Sequence, residues 1–151
     1  LLSLADVLSP SFAELVTPGP GYVGGKTLFS RDSKYAISIP AADLQPNLAA
    51  APQSLLRALR IFVLGACATA EASETGVRSM MVHPSQQTNP HQNYFRWVEG
   101  AISEWRQLAK EPPDSPVVKE FLEGFRPAYE ELKTTAPELA AFEALAARME
   151  Y

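Results

Sequence analysis

The stretch Ser79-Met80-Met81-Val82-His83-Pro84-Ser85-Gln86-Gln87-Thr88-Asn89-Pro90-His91-Gln92 decides how this chain is read. Met80, Met81 and Val82 form a short apolar run stopped by His-Pro. Asn89-Pro90 then opens a long amphipathic pattern, with Asn89 as cap and Pro90 at the first helical position. The pattern predicts a buried strand, a polar loop at its carboxyl end and a helix returning over a sheet. Open α/β sheets bind ligands at that edge of their strands, so His83, Ser85, Gln86, Gln87, Thr88, Asn89 and His91 become the candidate site. The fold class expected is α-rich α/β.

Upstream, Pro52 suits the first turn of a helix running to about Ala72. Leu55, Leu59, Phe62, Val63, Ala66 and Ala70 share one face of it, with Leu56 beside them. Arg57 and Arg60 lie three apart and can share another side. Earlier still, Tyr35-Ala36-Ile37-Ser38-Ile39 alternates up to Pro40, the pattern of a short edge strand. Ser9-Pro10 can start a short helix through Val16, and Thr17-Pro18-Gly19-Pro20-Gly21 makes a turn or linker. Gly25-Lys26-Thr27 has the ending of a phosphate loop, but Pro20 stands where that motif needs a glycine and no strand precedes it. A glycine turn is the reading this favours.

Downstream of Pro90, Phe95, Val98, Ile102 and Trp105 are spaced three, four and three, an apolar stripe that leaves Trp97 outside as a candidate interface residue. Glu111-Pro112-Pro113-Asp114 ends that helix, and Ser115-Pro116 starts the next. Its inner face is Val118, Phe121, Leu122, Phe125, Tyr129 and Leu132, with a kink expected at Pro127. Thr135 and Glu138 form a capping box for a last helix through Leu139, Phe142, Leu145 and Met149.

With 151 residues, 46% hydrophobic and 20% charged, one core is the default. The most apolar run, Ile61 to Ala70, is interrupted by Gly65 and flanked by arginines, so no membrane span is expected. A net charge of −4 argues against a wholly nucleic-acid-binding surface, although a local phosphate contact needs only a few donors. Leu1-Leu2-Ser3-Leu4 lacks the basic start of a signal peptide, and the chain reads as a piece of something larger. The single cysteine, Cys67, reads as a small core residue of a reducing compartment.

The chemistry is sparse. His83 and His91 lack the ligand spacing of a familiar metal motif, Ser79 and Ser85 have no nucleophile elbow, and the acidic pairs sit on helix surfaces. No catalytic, cofactor or metal set is expected within the chain.

Pro18-Gly19-Pro20-Gly21-Tyr22-Val23-Gly24-Gly25, followed after a helix by Ser79-Met80-Met81-Val82-His83-Pro84-Ser85, resembles the central region of the Z-one domain proteins, often labelled endonucleases. These are helicase-like motors related to the DEAD-box type, and some serve as the NTP-hydrolysing subunit of restriction systems. The resemblance covers residues 1 to about 105; beyond that it extends only to helical character. It implies residues 1–50 as the exit from a first motor lobe, 51–78 as a connector helix, and 79–151 as the first strand and flanking helices of a second RecA-like lobe. It also implies that ATP and magnesium are held elsewhere in a cytoplasmic parent protein. Its partners would be DNA, the remaining lobes and a nuclease subunit. Ser85 and Gln86 would be neutral phosphate donors, assisted by His83 and His91. The competing use of Ser85 and Asn89 is to tie the loop to its own backbone. A rival to the motor is a helical protein-protein interaction module.

Overall fold

A computed structural model describes residues 19–149 apart from 21, 46, 74, 75, 86 and 87. The chain divides into two compact units, Leu1–Ala36 and Ile37–Tyr151. In the first, Gly25–Phe29 forms a short helix, α1, with Gly24 in extended backbone before it. The expected helix over residues 9–16 and most of the Pro/Gly turn lie outside the described residues.

The second unit is built around α2, Gln53–Glu71. Its long run of leucine and alanine favours a helix. The residue at its N-cap, Pro52, has no side-chain hydrogen bond to offer. The cap comes from a distance: Asp43, in the 3-10 turn Ala41–Leu44, accepts the Ser54 N–H at 2.8 Å. A carboxylate there satisfies an orphan amide and faces the positive end of the helix dipole. Asp43→Ala is therefore expected to cost about 1 kcal/mol, read as a lowered urea midpoint with an unchanged slope.

Four further helices follow: α3 at Thr88–Leu108, α4 at Pro116–Glu123, α5 at Arg126–Thr135 and α6 at Phe142–Ala147. The α2 helix packs on α5 and α6, and α3 packs on α4. Two apolar clusters result. Leu64, Cys67, Phe125, Ala128, Tyr129, Phe142 and Leu145 are buried in the first; Leu55, Leu59 and Ala101 are buried in the second, and Trp105 packs against both. Tyr129 reaches out of the first cluster, its hydroxyl donating to the Ala140 carbonyl at 3.1 Å. Arg57 donates to Glu131 at 2.5 Å and Arg148 to Glu71 at 2.8 Å. Both pairs are partly exposed, and each contributes at most about 1 kcal/mol.

These findings correct the expected α/β class. The fold is all-helical, 58% helix, with no strand among the described residues. Neither 79–83 nor 35–39 is a strand, so the first strand of a RecA-like lobe is absent from this unit. A strand is stable only where a neighbour completes its backbone hydrogen bonds, and these two segments have none. Val82 instead tucks its side chain against the second cluster.

Three smaller corrections follow, each with its own physical reason. Pro127 separates two helices rather than kinking one: its ring opposes the carbonyl four residues back, and α4 ends at that residue, Glu123. Thr135 closes α5 instead of capping the next helix, its hydroxyl donating back to the Leu132 carbonyl, and α6 starts only at Phe142. The inner face of α3 is Tyr94, Trp97, Val98, Ala101 and Trp105, with Phe95 66% exposed. Val118, Phe125 and Tyr129 are buried as expected, as are Phe142 and Leu145.

By length and composition α2 is long and apolar enough to cross a membrane. Here its buried positions, Leu55, Leu59, Leu64 and Cys67, are taken up by the two clusters.

Candidate docking cleft

The connection from α2 to α3 is fixed at several points. Ser73 takes a positive φ of 54° just past the end of α2, and its N–H donates to Ala70. Arg78 donates through Nε to the Thr69 hydroxyl at 3.1 Å, and that hydroxyl donates to the Gly65 carbonyl. Val82 is held in the second cluster. Near the far end, His91 donates through Nε2 to the Ser85 carbonyl at 2.6 Å, which fixes the proton on that nitrogen. His83 meets the His91 ring edge-on at 5.0 Å between centroids.

Between these fixed points the connection leaves apolar side chains in the open. Val77 is 97% exposed and Met81 86%. Met80, Met81, Val82, His83 and Pro84 form one wall of a cleft of about 600 Å³. Ile37, Ile39 and Leu44 form another, and Leu55, Ile61 and Ala128 contribute from the helices. The alternation that suggested a strand at 35–39 thus supplies apolar side chains to a cleft.

The polar groups of the cleft are few. Asp43 is engaged by Ser54 and Arg57 by Glu131. The Arg57 guanidinium is held above its usual range, chiefly by its hydrogen bond to Glu131. The Tyr94 phenol is pushed up by burial, with the Asp43 carboxylate adding to it. Arg60 lies over the Trp105 and Phe125 rings, 5.7 and 5.8 Å from their centroids, and its Nε is buried without a hydrogen-bond partner.

Of the residues singled out in the sequence, His83, Ser85 and His91 stand together at the start of α3. The carbonyl of Ser85, not its hydroxyl, receives the bond from His91. Gln86 lies outside the described residues. Trp97 is half-buried, packed in the second cluster with its ring 5.1 Å from Tyr94. Lys26 is exposed on α1, and no group of three His, Cys, Asp or Glu that could hold a metal ion occurs among the described residues. Cys67 is buried, and burial pushes its thiol up, away from the reactive thiolate.

The cleft as a whole was not legible in the sequence. Its two apolar walls come from segments about 40 residues apart that meet at one cleft beside α2. The separate signals were present: Ile37 and Ile39 before a proline, and Met80 to Val82 before another.

Fold and cleft together define a helical module with an exposed apolar recess. No protein-family model, no curated protein and no solved structure matches the chain.

Proposed function

We propose that this chain is a docking and coupling module of a larger assembly, and that the assembly is the ATP-dependent, helicase-like DNA-processing motor implied by the Z-one resemblance. The observation that carries the docking role is the apolar rim. Ile37, Ile39, Leu44, Met80 and Met81 all stand more than a third exposed around one cleft. Apolar surface gathered in this way marks a contact site for another surface. In this reading nucleotide and magnesium are held by other parts of a cytoplasmic polypeptide, and the module transmits their movement. DNA is met by Ser85 and Gln86, with His83 and His91 assisting, because neutral donors at a loop can bond phosphate oxygens. A nuclease subunit is a further partner of the same motor. The grouping of His83, Ser85 and His91 supports this part of the reading.

A second reading is favoured by the same rim: a protein-protein interaction module whose assembly handles no DNA. Two variants of the full-length polypeptide separate them. Replacing Ser85 and Gln86 together by Ala is expected to weaken DNA binding or DNA-stimulated ATPase roughly tenfold, the scale of one or two hydrogen bonds to a charged group. Met81→Asp is expected to reduce the stimulation while far-UV circular dichroism stays the same. If the double variant changes neither DNA binding nor ATPase but Met81→Asp dissolves a complex, the second reading holds. If both variants behave as the unaltered protein, the docking role is wrong.

A further inference from the structure

We propose that the cleft is a binding site for a small amphipathic carboxylate, an apolar chain ending in one acid group. Its volume of about 600 Å³ falls in the range of about 300–1,000 Å³ typical of small-molecule sites. The walls at Ile61, Met80, Val82 and Leu44 are apolar and suit the chain.

The head group follows from the charges. The charged residues that line the cleft are Asp43, Arg57 and Arg60, with the titratable His83 and Tyr94 beside them. Asp43 is taken by the Ser54 amide and Arg57 by Glu131. Among the described residues Arg60 has no carboxylate partner: it lies over the rings of Trp105 and Phe125, and its Nε is an orphaned donor. An unmet buried donor is costly, and a planar guanidinium matches a carboxylate two-pronged. A single negative charge suits this lining better than a dianion, whose second charge would find Arg57 already engaged by Glu131 and the Asp43 carboxylate nearby. Tyr94 lines the same cleft as a neutral phenol and can add a second donor.

This site goes beyond the docking role and needs no partner protein, so it stands or falls separately. The test uses the 151-residue chain with octanoate and 1-octanol, two probes of equal apolar length with and without the acid. Isothermal titration calorimetry should give one saturable octanoate site, at least about tenfold tighter than octanol, and Trp105 beside Arg60 should report it by fluorescence. Arg60→Met should bind both probes equally, and Arg60→Lys should keep part of the preference. Equal affinities in the unaltered chain, absence of saturable octanoate binding, or a preference that survives Arg60→Met would each overturn the proposal. Should Arg60→Met lose its helical signal, the octanoate-to-octanol ratio of the unaltered chain still decides.

Discussion

Phe125→Ala is expected to lower the unfolding free energy by about 3–5 kcal/mol. The side chain is 1% exposed at the turn between α4 and α5, where the chain has just been broken ahead of Pro127. Its ring meets Trp105 at 5.0 Å and Phe121 at 5.2 Å, both edge-on, and Arg60 lies over it. Truncation removes the apolar transfer term and these ring contacts, and it leaves a cavity between α2, α3 and α5 that backbone held at both sides cannot close. A domain of this size has roughly 5–15 kcal/mol in all, so the variant should populate unfolded chain near physiological temperature. Phe125→Leu should cost much less, because most of the volume is kept. Urea unfolding followed by circular dichroism measures both. A loss below about 1 kcal/mol for the alanine variant would mean that the aromatic cluster does not hold α3 to α5.

The second large effect is a comparison within α2. Leu64→Ala should cost about 2–5 kcal/mol, because Leu64 is fully buried in the first cluster. Phe62→Ala, at a half-buried position two residues earlier, should cost less despite the larger side chain. The single apolar stripe read from the sequence predicts the reverse order, since it includes Phe62, Val63 and Ala66 and leaves out Leu64. At roughly 100° per residue, Leu64 sits roughly 140° round the helix from Leu59. The helix therefore buries one side near its start, against α3, and another further along, against α5 and α6. Equal or inverted costs would show that the rotation of α2 is wrong.

That pair of residues shows what was legible in the sequence. The helices from Pro52, Pro90 and Pro116 could be read because proline and periodic leucine or phenylalanine act locally. The inner faces of α4, α5 and α6 could be read because each buries one side only. The face of α2 could not, because it serves two clusters. On α3 two stripes a residue apart fit the same spacing, and only packing against Leu55 and Leu59 chooses Trp97 over Phe95. The short run Met80 to Val82 was ambiguous for a different reason: three apolar residues before a proline suit a buried strand or an exposed connection equally. What decides is whether a neighbouring strand exists, and that is not written in the run itself. Of the candidate site, His83, Ser85 and His91 were grouped in the sequence as one loop at the end of a strand; the strand is absent, and it is the start of α3 that sets the two rings edge-on and His91 on the Ser85 carbonyl. The cleft beside them needed the distant residues Ile37 to Leu44.

The central claim is that the rim of the cleft is a surface meant to be covered. The chain's three methionines test it directly, since Met80 and Met81 lie on the rim while Met149 packs against the first cluster. With methyl-labelled methionine and a soluble paramagnetic agent, the Met81 methyl signal of the 151-residue chain should broaden strongly and that of Met149 weakly. In the larger assembly proposed above, Met81 is expected to become protected as Met149 is. A Met81 methyl group equally open to the agent in both would contradict it.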